Sequence, residues 1–121
     1  MSCLRVKVCV CQLSPSFSTL SQNEEWMNLK ALVKEEKPDL ILLNELPFGE
    51  WKGFYPNPTR EGVEEMLKAH EEGFSTLVKE LECPAILSTR PNGTFENLVN
   101  EAFIWTKVFL FSIYLFSYLF D

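Results

Sequence analysis

The residue with the clearest chemical potential is Glu45, a carboxylate that follows a short apolar run. The run Leu40–Leu43 shows no polar alternation, which is typical of a strand covered on both faces. Its C-terminal end is the edge at which open α/β sheets usually place their functional groups. Partial desolvation by Leu43, Leu46 and Pro47 would make this carboxylate more basic and suit it to be a general base. The alternative is a glutamate that simply points to solvent at the start of a loop.

The cysteines and the single histidine are weaker candidates for chemistry. Cys9 and Cys11 share one face of a predicted strand with Cys3, but a zinc site needs a second ligand pair elsewhere. We therefore predict buried thiols that act as small hydrophobic groups, and Cys83 is expected to be structural as well. His70 lies on the apolar stripe of a predicted helix, which favours a buried imidazole over a catalytic one. No metal or other cofactor is predicted.

The first half of the chain predicts the elements that would position Glu45. The β-branched segment Leu4 to Leu13 predicts a strand with its valines on one face and Cys9 and Cys11 on the other. Ser21 stands three residues before Glu24, the spacing of a capping box, and predicts a helix that runs to about Lys37. Pro38 ends this helix and leads into the strand Leu40 to Leu43. Strand, helix and strand in this order indicate a parallel βαβ unit.

The second half predicts one further helix and two further strands. Gly, Pro and aromatic residues make Pro47 to Thr59 a loop beside Glu45. An apolar stripe predicts a helix from about Arg60 to Leu81. A third strand is predicted over Pro84 to Thr89, a turn over Pro91 to Gly93, and a fourth strand over Phe95 to Thr106. The predicted fold class is therefore α/β with the order β-α-β-α-β-β.

Composition limits the function classes. The chain has 121 residues, which suits one domain, and 17 acidic against 11 basic residues give a net charge of −6. This balance provides no basic surface for phosphates and argues against nucleic-acid binding. Charges interrupt the apolar residues at the N-terminus, so no secretory signal is predicted and a cytoplasmic location with reduced thiols is expected.

Four segments together resemble the N-terminal half of the nitrilase superfamily, the carbon–nitrogen hydrolases. In chain order they are Lys7–Leu13, Lys37–Phe48, Pro84–Ser88 and Asn97–Phe103. The resemblance covers roughly Leu4 to Thr106 and implies part of a four-layer αββα sandwich, followed by a divergent hydrophobic tail over residues 107–121. It also implies a Glu-Lys-Cys mechanism that hydrolyses small amides or nitriles, in which Glu45 is the general base on a cysteine thiol. Asn100 matches the asparagine of the family's fourth strand, which we interpret as support for the site.

The family's lysine and nucleophilic cysteine motifs do not occur in this chain. Lys107 lacks the basic and aromatic surroundings of the lysine motif, and none of the four cysteines follows the required late strand. We therefore expect a truncated hydrolase that is inactive alone and has one face of its sheet uncovered. Such a face predicts association with itself or with a full-length hydrolase.

The C-terminal segment allows a second interpretation. Val108 to Phe120 is an uncharged run of 13 residues, which as a helix spans about 20 Å against the roughly 30 Å of a bilayer core. A buried strand over Phe103 to Asp121 is judged too long and too apolar. The alternatives are a tail foreign to the fold, which we prefer, and a membrane anchor on an interaction protein built from a hydrolase remnant.

Overall fold

The computed structural model describes residues 4–53 and 57–106 in full, and the backbone of residues 110–116. Its two helices are α1 (Glu24–Glu36) and α2 (Arg60–Glu80). Its strands are β1 (Val8–Cys11), β2 (Leu40–Leu43), β3 (Ala85–Gly93), β4 (Leu98–Thr106) and β5 (Leu110–Phe116). The predicted mixed α/β class is confirmed.

The five strands form one sheet in the order β1-β2-β3-β4-β5. Strands β1, β2 and β3 are parallel, whereas β3, β4 and β5 pair antiparallel. Because the parallel strands advance in one direction, two crossovers of the same hand place both helices on one face of the sheet. We call this the core face, and the other the open face.

The hydrophobic core lies between the core face and the two helices. Trp26, Leu29 and Val33 of α1 and Phe74 and Leu77 of α2 belong to one cluster of buried side chains. The sheet contributes Ile41, Leu43, Ile86 and Phe103 to the same cluster. The helical spacing of these residues explains why both helices form and which side each presents to the sheet.

Helix α1 begins two residues later than the predicted capping box. Its N-cap is Asn23, whose Oδ1 accepts a hydrogen bond from the Trp26 N–H at 3.0 Å. The prediction of Ser21 as the cap is therefore wrong, because the asparagine side chain satisfies the orphan helix donor instead. The predicted end is confirmed, since Lys37 adopts a left-handed conformation with φ 47° and Pro38 follows.

Strand β1 is shorter than predicted, and its valine face is uncovered. Pairing begins at Val8 opposite Leu40, the first residue of β2, and continues for only four residues. Beyond Cys11, the Leu13 N–H donates to the side chain of Asn44 and so leaves the ladder. Val8 and Val10 are exposed, with Val10 at 73%.

The predicted coverage of β2 on both faces is wrong. Ile41 and Leu43 point into the core and are buried, whereas Leu40 and Leu42 lie on the open face and are only half-buried. No helix of the described chain packs on that face. An apolar run therefore indicates that both faces of the strand are apolar, but it does not require that other elements cover both of them.

The hairpin between β3 and β4 turns later than predicted. Strand β3 continues through Pro91 and Asn92 to Gly93, and the turn is made by residues 94–97, with reciprocal backbone hydrogen bonds between Thr94 and Asn97. Gly93 has φ 105°, and a Cβ there would lie 2.0 Å from the Asn97 carbonyl oxygen. This close approach requires glycine at position 93, so the turn follows Gly93 instead of including it.

The C-terminal segment contains a strand. Residues 110–116 form β5, which pairs antiparallel with β4, so the rejection of a strand in this segment is wrong for these residues. Pairing with β4 satisfies the backbone N–H and C=O groups of this segment, whatever the hydrophobicity of its residues. The rest of the predicted tail, including Lys107 and Val108, lies outside the described residues. No helix in the described part of the chain is long and apolar enough to cross a membrane.

Candidate functional site

A cleft of about 910 Å³ opens beyond the C-terminal ends of β1 and β2. The end of β1 and the segment after it provide one wall, and the loop after β2 provides the other. Its polar lining includes Gln12, Ser14, Asn44, Glu45 and Lys52. The structure thus places Glu45 at the sheet edge that its sequence position predicts.

Glu45 is held by Asn100, the second residue singled out from the sequence. The Nδ2 of Asn100 donates a hydrogen bond of 2.8 Å to Oε1 of Glu45. Asn100 lies at the start of β4 on the open-face side, opposite Pro91. Its Oδ1 is buried and has no hydrogen-bond partner in the described structure. The amide is therefore oriented by the carboxylate and not by bonds to its own oxygen.

Glu45 is exposed, so the predicted desolvation by Leu43, Leu46 and Pro47 is wrong. Leu43 is buried in the core, and Pro47 is buried at the lining of the cleft, but neither covers the carboxylate. The position of Glu45 is set by one hydrogen bond to Asn100 rather than by an apolar pocket.

The loop that carries Glu45 is fixed by contacts on both sides. Asn44 bridges back to the segment after β1, where its Oδ1 accepts from the Leu13 N–H at 2.9 Å. The Leu46 N–H donates to the Oγ1 of Thr89 on β3 at 2.9 Å. Leu46 adopts φ 46°, a left-handed conformation that a leucine takes only when its surroundings impose it. Glu45 therefore stands on a constrained turn.

The sequence analysis did not single out two polar residues of this region, Thr89 and Lys52. Thr89 holds the Glu45 loop, and the odd positions of the predicted third strand would have placed it on the open face. Lys52 lines the cleft, and its Nζ lies 3.5 Å from a carboxylate oxygen of Glu50. Nothing in the sequence near Lys52 marks it, because a lysine in a loop is ordinary.

The described thiols lie away from Glu45. Cys9 and Cys11 lie on the core face of β1, opposite the valines as predicted, but they are only half-buried, whereas Cys83 is fully buried. Burial, and then the neighbouring Cys9, raises the pKa of the Cys11 thiol to about 11. Burial also raises the pKa of Cys83. The thiols of Cys11 and Cys83 are therefore protonated near neutral pH and poorly nucleophilic. Cys3 lies outside the described residues.

A search of the described residues finds no group of histidine, cysteine and acidic side chains that could hold a metal ion. Comparisons with protein-family models, curated proteins and solved structures find no match to this chain.

His70 is buried behind the same loop, at 1% exposure. Its Nε2 accepts a hydrogen bond from the Phe48 N–H at 3.2 Å, and its Nδ1 lies 2.9 Å from the Met66 carbonyl oxygen. These partners require a neutral ring with its proton on Nδ1. Burial lowers the pKa of His70. The predicted buried histidine is confirmed, and it ties Phe48 to α2.

We expect the stability of the chain to depend on pH through His70. Burial lowers the pKa of His70 in the folded chain. The stability that the neutral ring contributes is therefore fully present above about pH 6.5, the ordinary pKa of histidine in the unfolded chain. Below that pH the unfolded chain binds a proton that the folded chain excludes, and the free energy of unfolding decreases until the folded-state pKa is reached. Urea titrations from pH 8 to 5 should show this decrease. His70→Gln should make the slope shallower, and an unchanged slope would contradict the assignment.

A second polar cluster lies on the core face of β3 and β4. Glu101 is 1% exposed, and its Oε1 accepts hydrogen bonds from Nε and Nη2 of Arg90 at 3.0 and 2.8 Å. Its Oε2 accepts from Nδ2 of Asn92 at 2.9 Å. The Arg90 guanidinium also lies 4.7 Å from the ring centroid of Phe103. A cavity of about 440 Å³ between this cluster and α2 is lined by Arg90, Phe103 and Trp105.

Proposed function

We propose that this chain carries the general-base part of a carbon–nitrogen hydrolase site, that it binds small amides or nitriles at Glu45, and that it does not hydrolyse them alone. The observation that carries the proposal is the 2.8 Å hydrogen bond between Asn100 and Glu45. The resemblance to the nitrilase superfamily names Glu45 as the base and Asn100 as support for the site, each on its own. The hydrogen bond between them supports both assignments.

The proposed lack of turnover is supported by where the other described groups lie. Glu45 and Asn100 stand on the open-face side of the sheet, whereas Cys9 and Cys11 lie on the core face. A general base must reach the proton that it removes, within about 3.2 Å or through one water molecule. The described thiols are separated from Glu45 by the sheet itself. Lys52, the described lysine of the cleft, stands beside Glu50. Within residues 4–53 and 57–106, the base therefore has no thiol partner.

The proposal places the chain as part of a nitrilase-type αββα sandwich, with α1 and α2 as one helical layer and the five-stranded sheet as the next. Both helices on one face, and an apolar face opposite, support this arrangement. A substrate amide would lie in the cleft, with its N–H groups toward the Glu45 carboxylate. Such a contact is small and exposed, so we expect affinity in the range of about 1 mM.

The test combines a binding measurement with an activity measurement. In an NMR titration with acetamide and butyramide, whose N–H groups can donate to the carboxylate, we expect shifts of the backbone amides near Glu45, lost in Glu45→Ala and kept in Glu50→Ala. Glu50 is a matched control because it lines the same cleft but does not contact Asn100. Ammonia release should remain at background for all three chains. Binding that Glu45→Ala leaves unchanged would contradict the proposed site, and Glu45-dependent ammonia release would contradict the proposed inactivity.

A further inference from the structure

Asn92 and Gly93 end strand β3 and are the only asparagine–glycine pair in the sequence. Asn92 is exposed, but its side chain reaches inward as well as along the backbone. Its Oδ1 accepts a hydrogen bond of 3.0 Å from the Gly93 N–H, and its Nδ2 donates one of 2.9 Å to Oε2 of Glu101. One side-chain amide therefore contacts both the next backbone nitrogen and a buried carboxylate.

We propose that Asn92 is a deamidation site, and that the carboxylate formed there loosens the buried ion pair of Arg90 and Glu101. The proposal is independent of any hydrolase activity. The Gly93 nitrogen loses its proton to a solvent base and bonds to Cγ of Asn92, and the Cγ–Nδ2 bond breaks as ammonia leaves with one added proton. Water then opens the cyclic imide at either carbonyl and gives aspartate or isoaspartate. The net reaction consumes one water molecule and releases one ammonia, with no oxidation or reduction.

The hairpin geometry directs the Gly93 nitrogen toward the Asn92 side chain. Thr94 and Asn97 exchange both of their backbone hydrogen bonds, and hydrogen-bonded pairs alternate with non-hydrogen-bonded pairs along an antiparallel ladder. Gly93 and Leu98 therefore form a non-hydrogen-bonded pair, and the Gly93 N–H points away from β4. On its other side, β3 pairs with β2 only near its beginning. No strand of the described chain thus competes with Asn92 for this nitrogen.

Glycine at position 93 also removes the steric obstacle to cyclisation. The attack brings the following residue's nitrogen against the asparagine Cγ, and a Cβ on that residue crowds the approach. Gly93 has no Cβ, and its φ of 105° lies in a region that other residues rarely adopt. Asn97 is exposed in the same hairpin but precedes Leu98. Asn92 is therefore expected to react well before Asn97.

The product carboxylate would face Glu101, which is 1% exposed. In the parent chain, Oε1 of Glu101 accepts from Arg90 and Oε2 accepts from Asn92. Deamidation replaces the amide donor with a second acceptor, so Oε2 loses this hydrogen bond and meets a like charge. The Arg90 guanidinium would then be shared between two carboxylates. We therefore expect the β3–β4 hairpin to open more often after deamidation.

The first test incubates the full chain at mildly alkaline pH in heavy-oxygen water and maps the new carboxylates by peptide mass spectrometry. Asn92 should convert at least about tenfold faster than Asn97, because only Asn92 precedes glycine. Asn92→Gln should stay unlabelled at this position, since its longer side chain cannot close the five-membered imide. Conversion of Asn92 no faster than that of Asn97 would overturn the proposed site.

The second test measures the structural effect of the new charge by hydrogen exchange. Asn92→Asp should speed exchange of the β3–β4 amides at least about tenfold. The matched control is Asn97→Asp, which adds the same charge at an exposed turn residue and should leave this exchange unchanged. Combining Asn92→Asp with Glu101→Gln should slow exchange again, because a single carboxylate then faces Arg90. The proposed effect is overturned if the two aspartate variants exchange alike, or if the combination exchanges no more slowly than Asn92→Asp alone.

Discussion

Glu101→Ala is expected to lower the free energy of unfolding by about 3–5 kcal/mol, the largest effect we predict for a polar residue. The carboxylate is buried at 1% exposure and accepts hydrogen bonds from Arg90 and Asn92. Its removal takes this carboxylate away from the Arg90 guanidinium, which is only 25% exposed, and the loss of that partner costs more than the ion pair contributed. Urea denaturation at pH 7 measures the change.

Two comparisons separate this explanation from a general sensitivity to substitution. The double variant Arg90→Met with Glu101→Leu should recover most of the loss, because it removes both charges and keeps the volume apolar. Glu96→Ala should have little measurable effect, since its partner Arg60 and Glu96 itself are exposed to solvent. A Glu101→Ala variant as stable as the parent would show that the buried pair is not required.

Phe103→Ala should cost about 3–5 kcal/mol as well, through a cavity rather than a charge. Phe103 is 1% exposed at the centre of β4, and its ring meets that of Phe74 edge to face with centroids 4.8 Å apart. Phe74 contacts Phe48 in the same geometry at 5.1 Å. Removing the Phe103 ring opens a space under α2 that the surrounding residues fill only in part.

Met27→Ala is the control for this substitution, because Met27 is an apolar residue at 55% exposure on the outer side of α1. Its change in stability should stay within about 0.5 kcal/mol. Thermal and urea denaturation of the two variants side by side test the difference. Comparable losses for Met27→Ala and Phe103→Ala would mean that the aromatic contacts do not anchor the sheet to α2.

The parts of the fold that short-range patterns determine could be predicted. Helix α2 lies within one residue of its predicted bounds and β2 within its predicted bounds, because capping, helical spacing and Pro38 all act within a few residues. The hairpin was misplaced since Pro91 suggested a turn, whereas the close approach of Gly93 to Asn97 decides its position. That contact is visible only once the two strands are in register.

The candidate site depends on long-range contacts, which the sequence does not specify. Glu45 and Asn100 could each be named, but their contact spans 55 residues and requires the loop to cross the end of β3. The ion pair of Arg90 and Glu101 could not be predicted either, because these residues become neighbours only in the β3–β4 register. The partial exposure of Leu42 does not follow from the apolar run itself, since an apolar side chain does not reveal what covers it; only the resemblance to the nitrilase superfamily predicted one uncovered face.

Each strand of the sheet pairs with the strand that precedes it in the chain, which bears on the order in which the molecule forms. The antiparallel β3–β4 hairpin closes a short loop and can form within microseconds. The pairs β1–β2 and β2–β3 each wait for a helix to complete the crossover, so their closure carries a larger entropic cost. A chain emerging from the ribosome would therefore make β2 and the Glu45 turn before β3, but that turn would become fixed only later, when β3 supplies Thr89 to hold it.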